Sequence, residues 1–417
     1  MIRQKSSLDE EGSYRLAMAA KEFDLLCIGN ALVDVFTRVD GQTALCFGIT
    51  RSVQHINIEK LKELLNECST APPKQAFHSV TISSGGGAKK PHARRRACSS
   101  DKCSTAPPRE TFHSTVFSSG GGAANVAKIA GLLGANVCFT GSVCSHDKFA
   151  QFFEDDLLSA GVKLRLAQKD SATGICLFLK IADEIRVAAS PSAALELTES
   201  DISEDDIRKA GIVVIDGFML ERPGLVRHIL RLAELHKSAA ALDLASPAIA
   251  WEHAEEILDY ARQYSLILFM NEEEADAFQR GIRKEKLEKK NGVNKLSLDT
   301  PYLCASVRDI FKEIKRPLFD LRTNSRRDFP IVVIKLAERG AIVISEGSST
   351  VVETQALTPI ESTGAGDAFC AGFLTAWIHN KTLGECADMG NKAARIVLDV
   401  VGTRVERQAF KELAFSE

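Results

Sequence analysis

The sequence predicts an α/β protein with a mainly parallel central sheet, helices on both faces of that sheet and a small β-strand lid. The first observation is that short β-branched runs alternate with amphipathic helical stretches, which is typical of parallel sheets with crossover helices. The second is that these runs are almost continuously apolar, as in strands buried on both faces. The third is size, because 417 residues, 45% of them hydrophobic, can form a large core.

Six apolar runs are predicted to be strands of the central sheet. In chain order they are DLLCIGNALVDV, GIVVIDGF, AAALDLA, LILFMN, IVVIKL and GAIVIS. A helix is predicted where Val126, Ile129, Ala130 and Leu133 recur at helical spacing. Gly134 suits a left-handed helix terminator, and NVCFTG after it is predicted to be a further strand.

Two other segments resemble half-exposed antiparallel ribbon rather than buried strand. These are residues 174–190, with a turn near Asp183 and Glu184, and residues 111–119. We expect them to form the lid over an edge of the sheet.

The chain is predicted to hold one large domain, residues 23–417, after an N-terminal extension, residues 1–22. Inside that domain, residues 68–88 are nearly repeated as residues 103–123. Two copies do not make a solenoid, which needs at least about three repeats. Only the second copy runs on into a predicted helix and strand, so a duplicated surface insertion at about 68–110 is predicted. A second, polar insertion at about 280–328 begins lysine-rich and is expected to pack outside the core.

Composition favours a small-molecule partner and a cytoplasmic location. Lys and Arg total 52 against 55 Asp and Glu, a net charge of -3, so no overall basic field attracts nucleic acid. The first residues do not resemble a secretory leader, and the sequence shows no apolar run long enough for a membrane span, so a cytoplasmic protein is expected. The 11 cysteines are an odd, scattered set that suits reduced thiols. Cys98 and Cys103 near His92 would need two more ligands to form a zinc site, so a loop is favoured there.

The segment STGAGDAF combines glycines and an acid at the start of an apolar helix. Successive N–H groups of Gly364, Ala365 and Gly366 can point into one concavity, where the helix dipole also attracts an anion. Asp367 would repel that anion unless it has a task, such as accepting the proton of an attacking hydroxyl. An ordinary pKa of about 3.9 would leave it ionised at neutral pH. An N-capping aspartate with glycines for packing explains the spacing equally well.

STGAGDAF resembles the C-terminal signature of the PfkB-type carbohydrate kinases, and five other segments follow that family's order. They are CIGNALVD, GGGAANVAKIAGLLGANVCFTGSV, LFMNEEEADAF, VVIKLAERGAIVI and DMGNKAARIVLDVVGTR. The resemblance implies the ribokinase-like fold, a three-layer αβα sandwich, over most of residues 23–405. GNALVD and FMNEEEAD are most similar to the adenosine-kinase-like branch.

The resemblance also assigns binding residues. On the acceptor side it implies that substrate is bound by Asp34, Asn30, Gly120, Gly121 and Asn125.

On the nucleotide side the resemblance implies ATP and Mg²⁺ as cofactors. The residues implied to bind ATP are Asn271, Lys335, Gly340, Thr363 and Asn391, and Glu274 is implied to hold Mg²⁺ through water. Glu361 stands where the family usually has Asp, which leaves a requirement for a monovalent cation open.

The predicted function is that of an ATP-dependent carbohydrate or nucleoside kinase. The γ-phosphate would move to a primary hydroxyl of an adenosine-like or ribose-like acceptor, with Asp367 as general base and the Gly364–Gly366 backbone as anion hole. The alternatives are a catalytically impaired kinase-like binding or regulatory module and a sugar-phosphate kinase of the same fold. A homodimer is compatible with each. A dinucleotide oxidoreductase is disfavoured because CIGNALVD offers one glycine instead of G-x-G-x-x-G.

Overall fold

The structure, a computed structural model, describes residues 21–46, 48–50, 53–68, 115–181, 184–284, 307, 309, 318–320, 325–327, 330–345 and 348–415. Most of the predicted extension at 1–22 and of the insertions at 68–110 and 280–328 lies outside these residues. So do Cys98, Cys103 and His92.

The described residues divide between two compact units. The larger unit takes the described parts of Met1–Asp34, Phe117–Cys176 and Pro191–Glu417. The smaller takes those of Val35–Val116 and Leu177–Ser190.

The strands are numbered in chain order. They are β1 Phe23–Ile28, β2 Leu32–Arg38, β3 Val53–His55, β4 Val116–Gly120, β5 Val137–Cys144, β6 Lys163–Lys169, β7 Gly174–Ile181, β8 Glu184–Ser190, β9 Ala210–Asp216, β10 Ala239–Asp243, β11 Leu266–Asn271, β12 Leu318–Asp320, β13 Ser325–Arg327, β14 Ile331–Lys335, β15 Ala341–Ser345 and β16 Ser348–Val352.

The α-helices are numbered in the same way. They are α1 Gly41–Cys46, α2 Ile58–Cys68, α3 Gly122–Leu132, α4 Lys148–Ser159, α5 Glu204–Lys209, α6 Pro223–Leu235, α7 Pro247–Glu252, α8 Ala254–Gln263, α9 Glu272–Ile282, α10 Ala365–Ile378 and α11 Leu383–Leu398. None of the helices in the described residues is long and apolar enough to cross a membrane.

The larger unit is built on a nine-stranded sheet with the order β16-β15-β14-β11-β10-β9-β1-β5-β6. The strands from β14 to β6 in this order pair in parallel. β15 and β16 extend the sheet as antiparallel strands. Parallel pairing follows from the helices between consecutive strands, because a parallel neighbour requires a crossover connection. The predicted mainly parallel sheet is confirmed.

Helices cover both faces of this sheet. Successive strand residues point to opposite faces, and on one face Val213 and Leu242 join a buried core with Ile229 of α6 and Phe278 of α9. On the other face α10 packs against α3 and α11. The three-layer αβα arrangement is therefore confirmed.

Aromatic packing seats α10 on the sheet. The ring of Phe269 in β11 lies 5.3 Å from that of Phe373 and 6.5 Å from that of Phe369, both of α10 and both close to perpendicular to it. Edge-to-face contacts of this kind stabilise a core beyond simple burial. They also fix the height at which α10 begins, which matters for the site described below.

Two sequence expectations are corrected by the packing. DLLCIGNALVDV is not one strand, because Gly29 ends β1 where a Cβ would lie 2.5 Å from Asp216 Oδ2, and β2 belongs to another sheet. Nor does the polar insertion lie wholly outside the core, since Val307 is fully buried within it. In both cases the deciding contact is with a residue distant in sequence.

The predicted additional β-sheet is present. It has five strands in the order β3-β8-β7-β2-β4. Within the smaller unit, β3 pairs in parallel with β8, and Phe36 stacks on Phe178 at 4.6 Å. Its action as a lid stays a prediction.

Removing the Phe373 ring, which packs α10 against the sheet, should destabilise the protein. Phe373 is fully buried, so Phe373→Ala is expected to lower the free energy of unfolding by about 3–5 kcal/mol. Urea unfolding of the full chain measures this. Leu158→Ala on α4 is the matched control, because Leu158 is 54% exposed, and it should change that free energy by less than about 0.5 kcal/mol. Equal losses in the two variants would contradict the described packing.

Candidate active site

Four neighbouring parallel strands end in polar side chains. β9, β10, β11 and β14 end at Asp216, Asp243, Asn271 and Lys335. The register pairs Asp216 with Asp243, and Asn271 with Lys335. Asp243 pairs with Phe269 of β11, so Asn271 and Lys335 extend two residues further along the same edge. Ligands of open α/β sheets bind outside the carboxyl ends of the strands, and the candidate site is at this edge.

The first turn of α10 adds backbone amides to the same place. Gly364 precedes the helix with φ 80°, and no side chain caps the turn. A Cβ on Gly366 would lie 3.3 Å from Lys335 Nζ, so a lysine ammonium group lies beside the positive end of the helix dipole. Uncapped amides, dipole and cation together favour an anion. The Ala365 N–H donates to the Ser362 carbonyl at 3.3 Å, so this amide already has a partner within the loop. The role of Gly364, Ala365 and Gly366 as a phosphate cradle stays a prediction.

Asp367 lies on the first turn of α10, where its Oδ2 accepts a hydrogen bond of 2.8 Å from Asn125 Nδ2. The N-cap of this helix is Gly364, so the alternative of an N-capping aspartate is wrong. Burial, and then the charge of Asp243, raises the pKa of Asp367 to about 7, although the bond from Asn125 acts in the opposite direction. The expected ordinary pKa near 3.9 is therefore also wrong, because only the fold places this carboxyl among other acids.

A buried ion pair lies under the cradle. Lys335 Nζ is 2.8 and 2.7 Å from the two carboxylate oxygens of Asp243, and the side chains are only 14% and 13% exposed. Cys370 Sγ donates to Asp243 Oδ2 at 3.2 Å. Burial lowers the pKa of Lys335, but the Asp243 carboxylate outweighs it and raises that pKa above the usual range. Lys335 is therefore a permanent cation at the cradle.

The predicted acceptor residues lie together. A Cβ on Gly120 would collide with the Asp34 carboxylate, and one on Gly121, which has φ 94°, would collide with the Asn30 carbonyl. Asp34 is 5% exposed, and burial, followed by the charge of Asp367, raises its pKa to about 8. Gly120 thus allows the backbone to approach the Asp34 carboxylate, and Gly121 allows it to approach the Asn30 carbonyl. No larger residue would permit either contact.

Two charged residues outside the predicted set complete this side. Asp216 is 3% exposed, and burial raises its pKa to about 6 against the opposing N–H groups of Ala123 and Asn30. Neither of its carboxylate oxygens has a partner at hydrogen-bonding distance and angle within the described residues. Arg222 Nη2 donates to Asn30 Oδ1 at 2.7 Å, which orients the Asn30 amide.

Asn271 and Glu274 form a capping box at the start of α9. Glu274 Oε2 accepts the Asn271 N–H at 2.8 Å, and Asn271 Oδ1 accepts the Glu274 N–H at 2.8 Å. Glu274 is 3% exposed, and burial, followed by the charge of Asp243, raises its pKa to about 7. The pair has a structural task whether or not it binds a ligand.

The side chains of the site determine whether a metal ion can bind there. The described part of the chain has no group of three or more His, Cys, Asp or Glu side chains that could hold a metal by themselves. Mg²⁺ is often bound by one or two carboxylates together with substrate phosphates and water. Glu274 fits as such a water-mediated contributor when phosphate is present, and its metal role stays a prediction.

The remaining predicted nucleotide residues have partners within the protein. Thr363 donates its N–H and its hydroxyl to Glu361 Oε1 at 2.8 and 2.7 Å, and Glu361 Oε2 accepts Gly402 N–H at 3.2 Å. Asn391 Nδ2 donates to the Val352 carbonyl at 3.3 Å.

Gly340, which precedes β15, contacts the same carbonyl as Asn391 of α11. It has φ 91°, and a Cβ there would collide with the Val352 carbonyl. Gly340 and Asn391 therefore meet at Val352, and contact with ATP stays a prediction for these residues and for Thr363.

Asp216, Asp243 and Arg222 belong to this site but are absent from the predicted set. Asp216 and Asp243 had a usable signal, since each ends an apolar strand, and such strand ends meet at one edge. Arg222 had none, because its partner Asn30 lies 192 residues away in sequence.

Adding a methyl group to the cradle should destabilise it. In Gly364→Ala the Cβ would lie 2.5 Å from Thr403 Cγ2 at a φ of +80°, and a left-handed conformation alone costs about 1–2 kcal/mol for a residue other than glycine. We expect a loss of at least that size in the free energy of unfolding. Gly384→Ala in α11 is the control, because its nearest neighbour is 3.8 Å away, and it should be neutral or stabilising by up to about 1 kcal/mol.

Stability should fall as pH rises from about 5 to about 8. The folded pKa values of Asp34, Asp216, Glu274 and Asp367 are raised to about 8, 6, 7 and 7, so in this window the folded protein holds more protons than the unfolded chain. Its free energy of unfolding must then decrease with pH. Urea unfolding at several pH values measures the slope, and Asp34→Asn should make it shallower. A stability that rises over this window would contradict the raised pKa values.

Comparison with known proteins places this geometry in a family. Adenosine kinase 1 of Arabidopsis thaliana is 22% identical over 282 residues, which cover 63% of this chain and 72% of that protein. The 5-dehydro-2-deoxygluconokinase of Clostridium beijerinckii is 24% identical over 289 residues, covering 66% and 76%. The crystal structure of adenosine kinase from Sinorhizobium meliloti superimposes with a TM-score of 0.66 at 21% identity, over 92% of this chain and 96% of that chain.

The structural likeness confirms the ribokinase-like fold. A family model described as pfkB family carbohydrate kinase matches residues 94–294 and 322–408. These two segments make up most of the chain, and the protein therefore belongs to the pfkB family of carbohydrate kinases.

Proposed function

We propose that this protein transfers the γ-phosphate of ATP to a primary hydroxyl of a sugar or nucleoside, with Asp367 as the general base. One observation carries the proposal. The Asp367 carboxylate, held by Asn125 at 2.8 Å, stands on the first turn of a helix whose uncapped amides lie beside the Lys335 ammonium group. A proton acceptor next to a cradle for an anion is the minimum that phosphoryl transfer to an alcohol requires.

The proposed step balances around Asp367. The acceptor hydroxyl gives its proton to the Asp367 carboxylate while its oxygen bonds to the γ-phosphorus, and the bond from that phosphorus to the bridging oxygen of ADP breaks. A pKa of about 7 keeps a large fraction of the carboxylate ionised at neutral pH. It also makes the group a stronger base than an ordinary aspartate.

The cradle stabilises charge during the same step. The backbone of Gly364–Gly366 and the Lys335 ammonium group face the transferred group, and a preorganised donor to developing charge is typically worth about 3 kcal/mol. Mg²⁺ bound with the nucleotide would neutralise charge on its phosphates. Glu274 is the residue proposed to hold the ion, through water.

The acceptor class follows from the residues on the acceptor side of the site. Asp34, Asn30 and Asn125 can bind sugar hydroxyls beside the backbone of Gly120 and Gly121. Leu32 is half-buried and packs against Gly174, and an apolar side chain at this position favours a base or another apolar substituent over a bare sugar. Both adenosine-like and ribose-like acceptors agree with these residues.

Two alternatives remain to be distinguished by experiment. A sugar-phosphate kinase of the same fold would use the same base with another acceptor. A kinase-like binding or regulatory module would bind nucleotide without turnover. The raised pKa of Asp367 favours an enzyme, because perturbed acids in a cleft cluster at functional sites.

A turnover screen tests the proposal. The full chain is incubated with ATP and Mg²⁺ against nucleosides, ribose, fructose and sugar phosphates, and ADP formation is followed with each acceptor. Acceptor-dependent turnover with a nucleoside or ribose-like sugar is expected. Saturable ATP binding without turnover on any acceptor would instead identify the regulatory module.

Replacing the base gives the sharper prediction. Asp367→Asn removes the proton acceptor but preserves shape, so kcat should fall by about 10²- to 10⁴-fold while ATP affinity changes little. Asp259→Asn on α8 is the control, since this carboxylate is exposed and forms a local ion pair with Arg262. Near-normal turnover by Asp367→Asn would refute the assigned base.

A further inference from the structure

Thr403 contacts the candidate site from the segment that follows α11. It is 2% exposed, and its hydroxyl oxygen lies 2.9 Å from Ser118 Oγ and 3.2 Å from Asn125 Oδ1. The Ser119 carbonyl is farther away, at 3.4 Å. Nothing in the sequence pattern singled out this residue, which lies 278 positions from Asn125.

The chemistry of these groups fixes the direction of each hydrogen bond. An amide oxygen and a backbone carbonyl only accept, and Asn125 Oδ1, at 3.2 Å, is nearer to the Thr403 hydroxyl than the Ser119 carbonyl, at 3.4 Å. We therefore assign the Thr403 proton to Asn125 Oδ1. The single hydroxyl proton of Thr403 is then used, and Ser118 donates to Thr403. Because Asn125 Nδ2 donates to Asp367 Oδ2 at 2.8 Å, a directed chain runs from Ser118 through Thr403 and Asn125 to Asp367.

This chain selects one orientation of the Asn125 amide. With Oδ1 held by Thr403, the NH₂ group must face the Asp367 carboxylate. The flipped amide would set its oxygen against the carboxylate, and two acceptors facing each other in a buried site are unfavourable.

Packing holds Thr403 in place on two sides. Its Cγ2 methyl lies directly against Gly364, where a Cβ would come within 2.5 Å of it. The preceding residue, Gly402, donates its N–H to Glu361 at 3.2 Å. The hydroxyl of Thr403 is therefore fixed relative to both the cradle and Asn125.

We propose that Thr403 is a positioning residue for phosphoryl transfer. It orients the Asn125 amide, and the Asn125 N–H group then holds the ionised Asp367 carboxylate in the orientation that accepts the substrate proton. The inference rests on the proposed role of Asp367 as base. Thr403 itself touches neither the transferred phosphate nor the acceptor in this assignment, and it acts through Asn125 alone.

Other charged groups also face Asp367 and must be considered in any pH test. They are Asp34 of β2, Asp216 of β9, Asp243 of β10, Glu274 of α9 and Lys335 of β14. A substitution at Thr403 changes the charge of none of them. A shift in pH profile therefore reports the hydrogen bond from Asn125.

The decisive variant is Thr403→Val, which removes the hydroxyl and nearly keeps the shape. Since a hydrogen bond to the charged form lowers the pKa of an acid, its loosening should move the acid limb of the kcat/KM profile up by about one pH unit. The kcat at pH 7 should fall about tenfold, with the KM for ATP unchanged. Thr403→Ser, which restores the donor, should recover the wild-type profile.

Thr375→Val is the matched control. Thr375 is fully buried in α10, and within the described residues its hydroxyl has no hydrogen-bond partner, so the same change there should leave the profile unaltered. If Thr403→Val does not fold, as judged by circular dichroism, Thr403→Ala gives the same test without a bulkier side chain.

Two results separate the inference from the function on which it rests. A wild-type profile in a folded hydroxyl-free variant, with Asp367→Asn inactive, would overturn the role of Thr403 and leave the base in place. Full activity in Asp367→Asn would overturn the base itself. An equal shift in Thr375→Val would show that the effect is general packing, which also contradicts the proposal.

Discussion

The ion pair between Asp243 and Lys335 is the interaction on which the rest of the site depends. Five acidic side chains gather at the site, namely Asp34, Asp216, Asp243, Glu274 and Asp367. Without a cation among them their mutual repulsion and desolvation would be prohibitive. Lys335 supplies that cation, at 2.7 Å from Asp243, and it simultaneously lies beside the first turn of α10. A pair of this kind is costly to bury and adds little net stability. What the pair provides is a fixed positive charge, that of Lys335, at a position where it can also attract a bound anion.

The raised pKa values show how stability and chemistry oppose each other here. Asp34, Asp216 and Glu274 hold their protons longer than the same groups would in water, because burial raises their pKa values. Ionising them destabilises the folded state. The same desolvation makes Asp367 a better proton acceptor near neutral pH than a surface aspartate. Perturbed acids of this sort are expected at functional sites.

Glycines determine how closely these parts approach. Gly120 lies against the Asp34 carboxylate, Gly364 against Thr403, and Gly366 against Lys335. Each close approach joins segments far apart in the chain, so the backbone itself forms the walls of the site. Helix α10 contacts these segments because its aromatic residues pack on β11. The position of its first turn relative to the sheet is therefore set by packing in the core rather than by a loop.

The sequence by itself determined the architecture and the candidate site residues. Apolar runs alternating with helical periodicity specify the parallel sheet, and the glycine-rich start of α10 with Asp367 marks the proposed meeting place of an anion and a base, because these are local patterns. Tertiary structure alone decided the break after β1, the burial of Val307, the pKa of Asp367 and the participation of Arg222 and Thr403. Each of these depends on contacts between residues remote in sequence, and on the desolvation that follows when they pack together. Neither quantity is encoded in any local pattern of residues.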